Sequence, residues 1–582
     1  MRKKLKSSAY LIMNILVSLA RLHRKQLSFA LLVFLIIGST WLAFLFAPER
    51  TNDGLVHLFW NSFWAEQVKS GDLFPKWYAQ GYGGYGNAAF LFYPPLLRYV
   101  AFPYHLLGFS PVVALRFTVL TILLINIISA STLAAYLFKI RGILYYQLII
   151  ILVINPYLFY CLFWRGALAE CLAIALMPFF VTALLKVSTR ITFANGLALT
   201  ITTSLIALAH LPSLIIIFFL FGIYSVIILL KNRNFRDFVW RILFFIIGII
   251  FSFTYLFPAV FNLKEIRQPI GTSLGDWVAF GNNFYQNRHT FIISIIFSIY
   301  LIIYLLSIRA VWQRRNKLEK FDFDPVALIV LSGLSLLMIS PLSLPFYKII
   351  FPLQKIQFPF RFIAVAAGLV STLAILSISV NFNQLKKRLL VSLLVIAGLS
   401  IPHYLLLSSV LTPLYQDSQA KEQLNNLITA RIKQPSYQSQ RTATANFLPV
   451  EPIKVGGKGF NLAAGLLIVP DVVDYLPAAL SEKTPFWKFQ GNTVSPAQGY
   501  QDHYVRNGDG QLAMVKASLY NRIWDCQIVS DTQVDLGITY FSRWHFETNP
   551  KGMISSQGIS QDGLFALQLK PGKYQLIAQY RD

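Results

Sequence analysis

The chain has 582 residues, 55% of them hydrophobic and only 13% charged, with a mean hydropathy of +0.56. That balance excludes an ordinary soluble domain. The net charge of +26 does not point to nucleic acid, because Lys and Arg fall in short clusters between apolar runs, as the positive-inside rule describes.

Apolar runs of membrane-spanning length recur up to residue 410. A run of about 20 such residues crosses a hydrocarbon core of roughly 30 Å, and in lipid the backbone must bond to itself, so each run is a helix. The sequence therefore predicts an α-helical polytopic membrane protein with about eleven spans. Residues 1–27 form a basic N-terminus, with Arg2, Lys3, Lys4, Lys6, Arg21, Arg24 and Lys25 around a stretch, 10–20, too short to span and suited to an interfacial helix. No small-residue cleavage site follows the first apolar run, which reads as an uncleaved anchor.

The first span is expected at 28–47, followed by a long polar and aromatic loop, 48–110. Further spans are expected at 111–138, 143–162, 167–185, 191–209, 212–230, 239–260, 291–311, 325–346, 359–380 and 389–410. Lys139/Arg141, Lys186/Arg190, Lys231/Arg233/Arg236, Arg314/Arg315/Lys317 and Lys386/Lys387/Arg388 occupy alternate loops. They share a side with the N-terminus, which places that side in the cytoplasm. The 48–110 loop, the 261–290 loop and everything after about 412 then lie outside.

Beyond 412 the composition turns polar and the spans stop. Residues 412–445 read as a linker and 446–582 as an extracytoplasmic β-rich domain, a sandwich by expectation. Within it, 538–547 reads as a strand, and 564–580 as two strands joined in a hairpin at Pro571-Gly572. The three cysteines, Cys161, Cys171 and Cys526, form neither a disulfide framework nor a metal cluster by spacing.

Seven polar residues fall on the outer side in this topology: Asp53, His57, Glu66, Arg165, Glu170, His210 and Arg361. Residues 53–69 suit a helix that puts Asp53 and His57 on one face, with Trp60 and Trp64 suited to the head-group interface. Plain structural roles compete at each position. Asp53 is a helix N-cap in that reading, Arg165 a snorkelling cation with Glu170 as its partner, His210 a capping or interfacial residue, and Arg361 a helix-end anchor. Against this, a carboxylate several residues inside a span is costly and marks a functional site by default.

The order Asp53-x3-His57, Gly71-Asp72-Leu73-Phe74-Pro75-Lys76-Trp77, Gly81-Tyr82-Gly83 and Phe92-Tyr93-Pro94-Pro95 resembles the first outer loop of a bacterial membrane-protein family. That family is labelled 6-pyruvoyl-tetrahydropterin synthase-related and is similar to the YfhO-like proteins. Arg165-Gly166 with Glu170 and Pro178, His210-Leu211-Pro212, Gln357-Phe358-Pro359-Phe360-Arg361, and the tail from Trp544 through the 564–580 strands resemble its later motifs. The label's pterin chemistry has no counterpart in these residues, which hold no His-rich zinc cluster.

More broadly the arrangement resembles the GT-C glycosyltransferases. That likeness implies a GT-C-like fold and transfer of a sugar from a polyprenyl-phosphate-linked donor to an extracytoplasmic glycan or lipid acceptor. It implies Asp53 and His57 as catalytic residues, with Glu66, Arg165, Glu170, His210 and Arg361 binding substrate. No cofactor is firmly implied; a divalent metal stays open but unsupported, because Asp53 is followed by Gly54 and Leu55 and no Asp-x-Asp pair is present in this loop. The expected location is the bacterial cytoplasmic membrane, among membrane lipids, with no nucleic-acid partner. A lipid or polysaccharide transporter and a membrane scaffold for the β domain stay open beside the enzyme.

Overall fold

The computed structural model describes residues 24–381, with breaks at 46–47, 49–50, 52, 139–142, 267–277, 282–287, 314–323 and 357. It also describes a few positions at 395–399, short strands between 453 and 496, and 501–581 except 519. Helices stand at every expected span except 389–410, of which only those few positions are described; the 10–20 stretch and the 412–445 linker lie outside the described residues. Six helices are long and apolar enough to cross a membrane, or up to eight if two bent pairs each count as one span. These make the chain a multi-pass membrane protein, although this number is smaller than eleven. Arg24–Leu45 carries a shorter apolar stretch, and Phe193–Ala209 has only 17 residues.

Two helix pairs bend sharply. Phe235–Ile250 and Phe253–Phe261 meet at 72°, and Pro325–Leu337 and Pro341–Ile349 at 93°. Pro341 in the second pair lacks the amide hydrogen a continuous helix would use. A subtler break lies in Leu144–Arg165, where Asn155 accepts from the Tyr157 amide at 2.9 Å and Pro156 restarts the helix. Cys161–Arg165 then forms a π-helical turn. Such turns widen a helix by one residue and are common at functional sites.

The 48–110 loop folds into its own layer. The expected helix forms at Gly54–Lys69, followed by a tight turn at Gly81–Gly84 and a helix at Leu96–Leu106. Trp60 and Trp64, expected at the head-group interface, are instead buried. Trp60 packs edge-on to Tyr78, Phe90 and Tyr93, and Trp64 to Tyr99 and Phe102. The loop carries enough aromatic surface of its own to cover them.

Residues 501–581 form two four-stranded antiparallel sheets. One runs Trp544–Asn549, Gly572–Tyr580, Asn521–Ile528, Gly510–Ala517; the other Ile554–Ile559, Leu564–Leu569, Thr532–Thr539, His503–Asn507. Trp524, Leu576 and Ala578 from the first sheet and Val534, Leu536 and Leu567 from the second are buried, as in a sandwich. Two sequence expectations change here. The 538–547 strand is two, broken by the turn at 540–543. Leu564–Leu569 and Gly572–Tyr580 pair in different sheets, so Pro571-Gly572 carries the chain between layers and makes no hairpin. Leu564–Leu569 is apolar apart from Gln568, and Gly572–Tyr580 alternates only in part; neither pattern distinguishes a hairpin from a crossing.

The β domain docks on the loop. Tyr85 accepts from the Thr539 amide at 3.0 Å through its carbonyl, and its hydroxyl lies 2.6 Å from that of Tyr504. Arg522 donates to Gly537 O at 2.6 Å and to Gly84 O at 3.4 Å. The Tyr520 hydroxyl donates to the Asp72 carboxylate. Trp77, fully buried, packs against Phe541, Trp544 and Tyr580 at 5.6–6.2 Å. The Gly71–Trp77 motif thus joins two layers. Trp77→Ala is expected to cost about 3–5 kcal/mol of this packing. Melting of the purified protein and its rate of tryptic nicking measure this; an unchanged melt and nicking rate would remove Trp77 from the docking.

Candidate functional site

Three span ends meet at one carboxylate. The Glu170 Oε2 atom lies 2.8 Å from Arg165 Nη1 and 3.4 Å from Arg361 Nε, and its Oε1 accepts from the Tyr157 hydroxyl at 2.5 Å. Arg165 ends one span, Glu170 stands in the first turn of the next, and Arg361 lies in the 3-10 turn that opens Pro359–Val380. Glu170 is 1% exposed, Arg165 8% and Arg361 7%, so neither arginine snorkels out to solvent. Isolated, any of these charges would be prohibitive in such surroundings; together each supplies the others' counter-charge.

Aromatic faces add to the cations. Both guanidinium groups lie over Phe358, Arg165 at 5.5 Å and Arg361 at 4.8 Å from the ring centroid, and Arg165 is also 5.3 Å from that of Phe360. Arg361 donates to Ile356 O at 2.7 Å. Two cations against one paired carboxylate leave the group with positive charge beyond Glu170's own.

Asp53 completes the site from the loop side. It stands at the N-cap of Gly54–Lys69, yet its side chain makes no capping bond. The N-cap role expected for it is therefore not the one it plays. Its backbone amide donates to Arg165 O at 2.8 Å, which ties the loop to the π-helical turn. Its surface is accessible, although protein surrounds it closely enough for burial to raise the carboxyl above its ordinary range. Arg165 and Arg361 oppose the shift and Glu170 adds to it.

Two glycines allow this crossing. A Cβ on Gly166, whose φ is +72°, would stand 2.1 Å from Thr51 Oγ1 and 2.8 Å from Gly54 N; one on Gly54 would stand 1.9 Å from Pro48 O. No side chain fits at either position, so the two backbones meet directly.

The other expected site residues separate. His210 bonds to Ser213 Oγ at 2.8 Å and interacts electrostatically with Glu170, so it borders the cluster. His57 is buried edge-on to Tyr93, at 5.8 Å between centroids. Burial, with Arg98 second, lowers its pKa to about 3, so it is a neutral ring facing Tyr93 and Arg98 and carries no charge toward a phosphate. Glu66 pairs with Lys69 at 2.9 Å on the outside of the helix and takes no part in the cluster. Among the described residues no three His, Cys, Asp or Glu side chains stand together as a metal-binding set.

Sequence reasoning missed Tyr157 and the Tyr160 hydroxyl, which lies 2.9 Å from His289 Nδ1. The signal was Asn155-Pro156 inside an apolar run, a helix break that turns the following tyrosines inward.

Glu170→Gln leaves two buried guanidinium groups without a carboxylate and is expected to cost about 3–5 kcal/mol. Asp53→Asn goes the other way. A carboxyl whose pKa is raised by folding is penalised once ionised, so at neutral pH the amide is expected to melt no lower than wild type. Thermal unfolding of both variants in detergent checks the pair. Wild-type stability at Glu170→Gln, or a lower melt at Asp53→Asn, would contradict this account.

No protein-family model and no curated protein matches this chain. Among solved structures it is similar to the archaeal oligosaccharyltransferase AglB from Archaeoglobus fulgidus, in complex with an inhibitory peptide and a dolichol-phosphate. The identity is 14% and the TM-score 0.38, over 72% of this chain. The chain spans 57% of that protein's length.

Proposed function

We propose that the chain is a membrane glycosyltransferase of the GT-C type, related to the YfhO-like proteins, acting on a polyprenyl-phosphate-linked sugar at the outer face of the bacterial cytoplasmic membrane. The observation that carries this reading is an accessible carboxyl, Asp53, released from helix capping and held by its own backbone against Arg165. The orientation, with the N-terminus inside, rests on the alternation of basic loops.

In this mechanism an acceptor hydroxyl attacks the anomeric carbon of the donor. Asp53 takes the hydroxyl proton as the sugar–phosphate bond breaks. The leaving phosphate gains negative charge, and Arg165 and Arg361 offset it from fixed positions. Glu170 and Tyr157 hold Arg165 in place, and His210 borders the same pocket. His57 packs the helix that carries Asp53 and touches no reacting atom.

The test is consumption of polyprenyl-phosphate sugars by the purified, reconstituted protein. Asp53→Asn is expected to lower turnover by roughly 10²–10⁴-fold with folding intact. The base must be ionised, so the rate is expected to fall with acid along a limb above the ordinary carboxylate range, and this limb disappears in the variant. Equal turnover by Asp53→Asn would remove it from the chemistry. No turnover by wild type across a panel of donors would overturn the transferase.

A further inference from the structure

A mostly apolar cavity begins one turn below the charged cluster. Its upper wall holds Ile174, four residues after Glu170, Ala364, three after Arg361, and Asn155, two before Tyr157. Two helices therefore place a lining residue one turn from a member of the cluster, and the break at Asn155 adds a third close in sequence. From Ile174 to Leu185, both on the lining, the Leu168–Thr189 helix descends roughly 16 Å. The far end holds Asp324, which pairs with the exposed amine of Lys231 at 2.5 Å.

The space open to the centre of a water molecule is about 130 Å³, against roughly 10–15 Å³ for one water on that measure. The walls between the ends are nearly all Leu, Ile, Val, Phe and Met side chains. Such a lining does not hold water, and without an occupant it loses its dispersion contacts. Only the upper end offers a spare polar group at the lining. Asn126, 2% exposed, has a side-chain nitrogen with no hydrogen-bond partner among the described residues.

We infer that this cavity is a binding site for one hydrocarbon chain of a phosphate-headed lipid, with the head at Arg165 and Arg361 and the tail directed toward Asp324. The position of the head rests on the phosphate role proposed above. The chain is prenyl or acyl; both are apolar, as the walls are.

Gly368 supplies the test. It lines the cavity, and a Cβ added there meets nothing within 4 Å. Gly368→Phe fills the shaft from a helix that also gains propensity. Full-length protein would be photolabelled with a diazirine-tailed polyprenyl phosphate and, separately, a diazirine-tailed lysophosphatidate. Labelled peptides are expected at Met177 and Leu328 on the lining. Labelling is expected to fall about tenfold in Gly368→Phe, by steric exclusion, with an unchanged melt.

Competition by unlabelled polyprenyl phosphate assigns the chain to the donor, and competition by lysophosphatidate alone assigns it to a resident lipid; each supports the site. Labelling that no unlabelled lipid competes away would overturn it. So would labels confined to the outward-facing Ile201 and Ile302, or full labelling of a folded Gly368→Phe. Asp53→Asn is expected to keep its label while losing transfer, so failure of the transferase reading and failure of this site give different results.

Discussion

The Glu170 carboxylate is the interaction on which the rest depends. It takes Arg165 from one span end, Arg361 from a second and a hydroxyl from Tyr157 behind a helix break. Its Oε2 atom is shared between two cations, so neither is neutralised outright. Remove it and no carboxylate pairs the span ends at this level, so two buried positive charges oppose each other over the Phe358 ring. Structural and chemical demands coincide here: the same pairing that makes the charges tolerable in a membrane protein holds them within electrostatic reach of Asp53.

Charges at span ends were legible because lipid makes them costly. Arg165, Glu170 and Arg361 stood out on that ground alone, and the structure brings them together. Their grouping also fits the one-sided topology read from the basic loops. Asp53 was legible as a helix start. Its free carboxyl was not, because an N-cap residue that caps and one that does not have the same sequence. The close crossing of the two backbones depends on Gly54 and Gly166, whose part in it spacing does not reveal.

The misreadings have physical reasons too. Glu66 lies on the outer face of the Asp53 helix, and spacing could not tell which face met the protein. His57 follows Asp53 by one turn, yet its ring packs on Tyr93. Trp60 and Trp64 have the amphipathic character of head-group anchors; their burial depends on Tyr78, Phe90 and Tyr99, which a linear reading does not bring near. In the β domain, alternation located the strands around Pro571 but carried no information on which sheet each joins.

The docking of the loop on the β domain fixes an order of assembly. Asp72 and Tyr520 are 448 residues apart, and Gly84 and Arg522 are 438. Synthesis at about 5–20 residues per second separates the two halves of that contact by roughly 20–90 seconds. Throughout that interval Trp77 and Tyr85 lack the surface that will bury them. A nascent chain stalled before residue 520 carries its candidate site but not the cover over the adjoining loop. Biogenesis of this protein therefore has a late, long-range step, and quality control has an exposed aromatic loop by which to recognise chains that have not completed it.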